Sequence, residues 1–150
     1  NRVRFLRAVL EEVRANIPAE MPLFLRVSAN DFVPGGLDIG ETVEIVRLVK
    51  ELVDLVDVSS GGLLAPRIDL YAGYQVNYAA AVRQEVGLPT GAVGLITTPE
   101  LAEEIIGNGR ADLVVLGCAL LRQPYWPLYA AHVLKAEIPW PREYERGKYR

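Results

Sequence analysis

Arg26 stands in the run Pro22-Leu23-Phe24-Leu25-Arg26-Val27-Ser28, which is otherwise near-continuously apolar and has the length of a strand buried on both faces. A guanidinium there must either meet a neighbouring carboxylate or be aimed into a site, because buried charge is seldom left unpaired. Three later apolar runs end on small residues: Ser59-Ser60-Gly61-Gly62, Gly91-Ala92-Val93-Gly94 and Gly117-Cys118. Glycine at successive strand ends lets backbone N–H groups come close to a ligand, and converging N–H groups favour an anion. Leu116 to Arg122 then reads as a strand end, a glycine and a short helix opening on the same rim, the pattern that builds the phosphate site of parallel barrels. Any one of these glycines alone points more readily to a simple turn. Their recurrence points to a phosphate.

The remaining titratable residues read as structural. His132, the sole histidine, lies between Ala131 and Val133 in a helical stretch and reads as a helix-surface residue. Glu103 and Glu104 read as a solvated helix face, and Asp54 and Asp57 as capping groups flanking a strand start. The single cysteine excludes an intrachain disulfide, and no Cys/His grouping has the spacing of a metal site.

The elements that must position these residues alternate along the chain. Val3, Leu6, Val9, Leu10 and Val13 recur at helical period, with Pro18 ending the helix. The strand at Pro22–Ser28 follows, closed by a polar loop over 30–40. Glu41–Leu52 returns to helical spacing before a strand at Leu55–Val58. The pattern repeats as helix Tyr74–Val86, strand Thr90–Leu95, helix Pro99–Gly107, strand Leu113–Leu116 and helix Pro124–Leu134. Strands this far apart cannot be hairpins, so they pair in parallel through right-handed crossovers. The fold class is α/β. The last segment, Ile138-Pro139-Trp140-Pro141, predicts an extended arm with no obvious partner in the chain.

Bulk properties agree. A chain of 150 residues, 51% hydrophobic and 23% charged, suits one domain with a real core. The net charge is −3, and the basic residues are scattered apart from Arg2, Arg4 and Arg7 at the start and Arg146, Lys148 and Arg150 at the end, which argues against nucleic acid. No apolar run approaches the length of a membrane helix. With the solitary Cys118, a reducing, cytoplasmic setting is expected. A first helix already under way at Asn1, with no initiating Met, reads as the continuation of something larger.

Taken together, these strings resemble a known family: Asn1-Arg2 with Arg4-Phe5-Leu6, Leu25-Arg26-Val27-Ser28-Ala29-Asn30-Asp31, Val56-Asp57-Val58-Ser59-Ser60-Gly61-Gly62, Gly73-Tyr74-Gln75-Val76, residues 90–97, residues 108–113 and Tyr144-Glu145-Arg146-Gly147. In order and over essentially the whole chain, they resemble the C-terminal half of the Old Yellow Enzyme family, in particular its bacterial YqjM-like NADPH dehydrogenases and ene-reductases. The resemblance implies strands five to eight of a TIM (β/α)8 barrel, with residues 1–150 as a single partial domain. It implies FMN as cofactor, NADPH as reductant, and hydride transfer from reduced flavin to an activated alkene such as an enone. By the same resemblance, Arg26 would sit beside the flavin pyrimidine, and Gly94, Gly117 and Cys118 would hold the FMN phosphate. Arg146 would be an arginine finger reaching a neighbouring subunit, which implies a homo-oligomer.

Three departures from the family pattern qualify what the resemblance implies. Cys118 stands where the family has an arginine beside the phosphate, a loss of about 1.5–3 kcal/mol for one charge-assisted bond. As a residue it reads as a small apolar filler more than a reactive thiol. Glu51-Leu52-Val53-Asp54 lacks the family's glycine between helix and strand, so strain or a shifted helix end is expected there. Gln123 replaces an aspartate before Pro124, removing an N-cap at a cost of about 1 kcal/mol. By the resemblance, the family's substrate-anchoring His/His or His/Asn pair, its proton-donating Tyr and its flavin-modulating residue near the N-terminus belong to the four preceding units. A catalytically incomplete half-barrel that holds phosphate or flavin is therefore the alternative reading, and a sugar-phosphate lyase barrel a more distant one.

Overall fold

Helix α1 (Arg4–Asn16) leads into a strict alternation of strands and helices: β1 (Phe24–Ser28), α2 (Ile39–Val49), β2 (Leu55–Ser59), α3 (Val76–Val86), β3 (Thr90–Ala92), α4 (Pro99–Gly107) and β4 (Leu113–Val114). Two further helices, α5 (Cys118–Arg122) and α6 (Trp126–Val133), complete the order. The computed structural model describes residues 1–62 and 67–149, so Arg150 of the basic end lies outside the described residues. The four strands form one parallel sheet in the order β1-β2-β3-β4. This confirms the parallel α/β reading.

The register explains which face is core. Val27, Val58, Ala92 and Val114 form one row across the sheet, and Arg26, Asp57, Gly91 and Leu113 form the neighbouring row. Because side chains alternate along a strand, the two rows face opposite ways. Val58 and Ala92 are fully buried in a cluster with Val43, Val46, Val82 and Ile105 of the covering helices. The second face is open: Phe24 and Leu113 on it are 55% and 46% exposed. In a closed barrel this face packs the interior.

Local chemistry sets most element ends. Asp38 caps α2 by accepting from the Glu41 amide at 2.9 Å, and Thr98 caps α4 by accepting from the Leu101 amide at 3.3 Å ahead of Pro99. Between α2 and β2, where no glycine is present, the helix stops at Val49 and tightens into a 3-10 turn over Lys50–Leu52. That connection contains no left-handed residue. Arg14 reinforces the turn by donating to the Leu52 carbonyl at 2.9 Å.

Several boundaries differ from the sequence reading. β3 stops at Ala92 instead of Leu95, because Gly94 (φ 119°) and Leu95 (φ 51°) take left-handed conformations that end a strand. β4 ends at Val114 instead of Leu116, and α6 starts at Trp126 after a turn closed by the Trp126 amide on the Gln123 carbonyl. The tail also differs. Residues 136–141 lie outside helix and strand as expected, but Arg142–Gly147 form a 3-10 helix and the chain folds back on α6. Tyr149 stacks on His132 at 4.7 Å and meets Tyr129 and Trp140 edge-on, while Tyr144 packs on Tyr125. Residues 125, 129 and 132 share one helical face, which supplies the partner that sequence alone did not reveal.

A candidate phosphate-holding rim

The carboxyl ends of β3 and β4 meet at a cavity of about 340 Å³ lined by Tyr74, Gln75, Gly94, Gly117, Cys118 and Arg122, among others. Three of the residues singled out in the sequence, Gly94, Gly117 and Cys118, are thus brought together. The two glycines serve different ends. Gly94 is buried, and a Cβ added to it would stand 3.1 Å from the Gln75 amide nitrogen, so its left-handed backbone and tight packing both require glycine. Its carbonyl accepts from the Gly73 amide at 2.7 Å, and Ser60 Oγ donates to Gln75 Oε1 at 2.9 Å. Gln75 is buried beside Gly94 and tied to Ser60, while the Gly73 amide holds the Gly94 carbonyl. In the sequence Gln75 stood out only as a member of a string, since nothing in its own type signals a buried polar contact.

Gly117 is the opposite case. Its φ is −90°, and a Cβ there would meet nothing within 4 Å. No packing contact among the described residues excludes a side chain there, and the space beside it opens into the cavity. This open cradle fits the phosphate end of a nucleotide-type cofactor. Cys118 and Arg122, both exposed, bound the same space.

Arg26 lies on the open face of the sheet, two residues before the carboxyl end of β1, and Nη1 donates to Asp57 Oδ2 of its register partner. The two sequence alternatives for Arg26 hold together: it is paired, and its side chain is still 56% exposed toward the barrel interior. Asp57 Oδ1 is buried without a hydrogen-bond partner among the described residues. Asp57 thus sits within β2 as the countercharge of Arg26, which corrects its reading as a cap. Asp54 does act at a strand start, accepting from the Leu23 amide at 2.7 Å and from Arg14.

The perturbed carboxylates lie away from the rim. The Leu23 amide and then Arg14 hold Asp54 below its ordinary range. Arg83 holds Asp112 low, assisted by the Thr90 amide. Both sit where strands begin, the end of such folds that serves stability, while the glycine rim sits where strands finish, the end that serves ligands. Larger space, about 760 Å³, opens between α6 and the returning tail, with His132, Trp140 and Tyr149 in its wall. It lies off the strand ends, so the rim is the candidate site. Arg146 stands exposed in the tail and does not line the rim cavity.

Fold and rim together define four consecutive units of a (β/α)8 barrel. Comparison with known proteins is in keeping with this. A profile of the NADH:flavin oxidoreductase / NADH oxidase family matches residues 1–137. NADPH dehydrogenase of Geobacillus thermodenitrificans is 53% identical over 98% of this chain and 43% of its own length. NADPH dehydrogenase of Bacillus subtilis is 47% identical over 98% of this chain and 43% of its own. Among solved structures, histamine dehydrogenase from Rhizobium sp. 4-9 superposes with a TM-score of 0.71 at 26% identity, over 85% of this chain and 19% of that one. A structure of TcOYE with pHBA superposes with a TM-score of 0.66 at 20% identity, over 95% and 38%. The chain belongs to the NADH:flavin oxidoreductase / NADH oxidase family, and the resemblance to Old Yellow Enzymes is borne out. It spans less than half the length of the curated relatives it matches.

Among the described residues, no helix is long and apolar enough to cross a membrane.

Proposed function

We propose that this chain is the phosphate-holding, C-terminal half of an FMN-dependent NADPH dehydrogenase of the Old Yellow Enzyme type. The observation that supports this reading is the convergence of Gly94, Gly117 and Cys118 on one cavity at the strand ends, with Gly117 left open toward it. The chemistry that FMN supplies when bound is hydride transfer, from NADPH to the β-carbon of a carbonyl-activated alkene. Gly117 leaves room for the phosphate, and the Gly73 amide, donating to the Gly94 carbonyl, keeps Gly94 in place beside it. Arg26 presents a cation to the barrel interior, where it favours negative charge accumulating on a reduced ring. Asp57 holds that guanidinium at the sheet. Arg146, exposed on the tail, is proposed to act across a homo-oligomer contact in the whole barrel. The Cys118 position favours a second reading, a half-barrel that holds the cofactor without turning it over.

The deciding measurement is the visible absorbance of flavin retained by the purified chain after mixing with FMN and desalting. Retained yellow colour is expected. A colourless protein at saturating FMN would overturn the flavin reading. Turnover of an enone with NADPH by the yellow chain, or its absence, separates the two readings.

A further inference from the structure

Beside the larger space between α6 and the tail lies a cavity of about 310 Å³. Tyr125 and Leu128 wall it on the helix side, and Trp140, Glu143, Tyr144 and Tyr149 on the tail side. Most of this wall is aromatic, and among the described residues Glu143 is its only charged member. The nearby lysines, Lys135 and Lys148, line the larger adjoining space and not this one. Neither ring pair across the cavity is stacked face to face: Tyr125 and Tyr144 are tilted by 50° at 5.4 Å, and Trp140 meets Tyr149 edge-on at 6.0 Å. Rings set at an angle leave π faces uncovered, and Tyr125, Tyr144 and Tyr149 are each about half exposed.

Electron-rich ring faces attract a cation, and a carboxylate beside them supplies the countercharge. A neutral guest would gain from the rings but nothing from Glu143, and an anion would be repelled by it. The volume lies at the small end of ligand sites, which suits an alkylammonium ion better than a larger molecule. We propose that this cavity is an aromatic cage for a small organic ammonium ion, with Tyr125, Trp140, Tyr144 and Tyr149 supplying π faces and Glu143 the countercharge. The rings come from both sides of the fold-back, so the cage exists only while the tail rests on α6. Arg146 lines neither this cavity nor the glycine rim, and the proposal is independent of the flavin reading.

The test is an NMR titration of the chain with choline chloride, following the backbone amides of Glu143 and Tyr144. A parallel titration uses the uncharged isostere in which a tert-butyl group replaces the trimethylammonium. Choline is expected to shift these amides saturably at millimolar concentration or below, and the isostere to bind about tenfold more weakly. Glu143 is exposed, so Glu143→Gln leaves every ring and the packing in place. This variant should weaken choline about threefold to tenfold. Trp140→Leu should weaken it about tenfold, and Trp140→Phe, which keeps a π face, should fall between. The proposal is overturned by any of three results: no saturable shift with choline, equal affinity for the isostere, or parent-like choline affinity in either Glu143→Gln or Trp140→Leu.

Discussion

Two glycines of the rim share a residue type and differ in physical cause. Gly94 is required by the fold, since its φ of 119° and the nearby Gln75 amide leave no place for a side chain. Gly94→Ala should cost about 1–3 kcal/mol, read as a lower urea midpoint. Gly117 faces empty space, so Gly117→Ala should leave that midpoint within about 0.5 kcal/mol of the parent yet weaken FMN. A destabilised Gly117→Ala protein with normal flavin affinity would show that the residue serves a turn. Both glycines were legible in the sequence because strand ends can be counted from apolar runs. Their difference was not, because it depends on Gln75, which is nineteen positions before Gly94 in sequence and comes beside it only through the fold. Arg26 shows the same division: its type announced a charge needing a partner, and the register of β1 on β2 selected Asp57.

At the scale of elements, capping and propensity made the order of units readable, and side chains acting at a distance decided their ends. Asp112 joins three elements: it accepts from Arg83 of α3 at 3.0 Å and from the Thr90 amide opening β3 at 2.9 Å, just before β4. Its carboxyl is held below the ordinary value of about 3.8, first by Arg83. A carboxylate with a depressed native pKa adds stability that is complete above its unfolded value and is lost as pH falls through the native one. Unfolding free energy should therefore drop as the pH is lowered below about 4. In Asp112→Asn that acid-dependent loss should shrink, and the protein at pH 7 should be weaker by about 1 kcal/mol, since the pair is screened by solvent. An acid limb as steep in Asp112→Asn as in the parent would place the pH dependence elsewhere, with Asp54 the next candidate. The tail is the counterexample at this scale. Its prolines predicted an extended arm, and the aromatic face of α6 folds it back.

For the whole molecule, the consequence of four units is an open sheet. β1 and β4 are edges, and the row from Phe24 and Arg26 through Asp57 to Leu113 faces outward where a closed barrel packs its interior. Exposed parallel edges and an uncovered face favour association, so sedimentation velocity of the chain alone should show dimers or larger species at micromolar concentration. A monomer that unfolds cooperatively would contradict this. The sequence by itself determined the alternation of strand and helix, the parallel pairing, the glycine-bearing rim and the family, because each follows from periodicity and from short strings read along the chain. Only the tertiary structure decided that Arg26 is held by Asp57, that Gln75 packs beside Gly94, that Arg122 shares the cavity with Gly117, and that the tail returns to α6. Those contacts join residues on different elements, or turn a sequence neighbour toward a cavity made by two strands. Their geometry is set by register and packing, which local sequence does not encode.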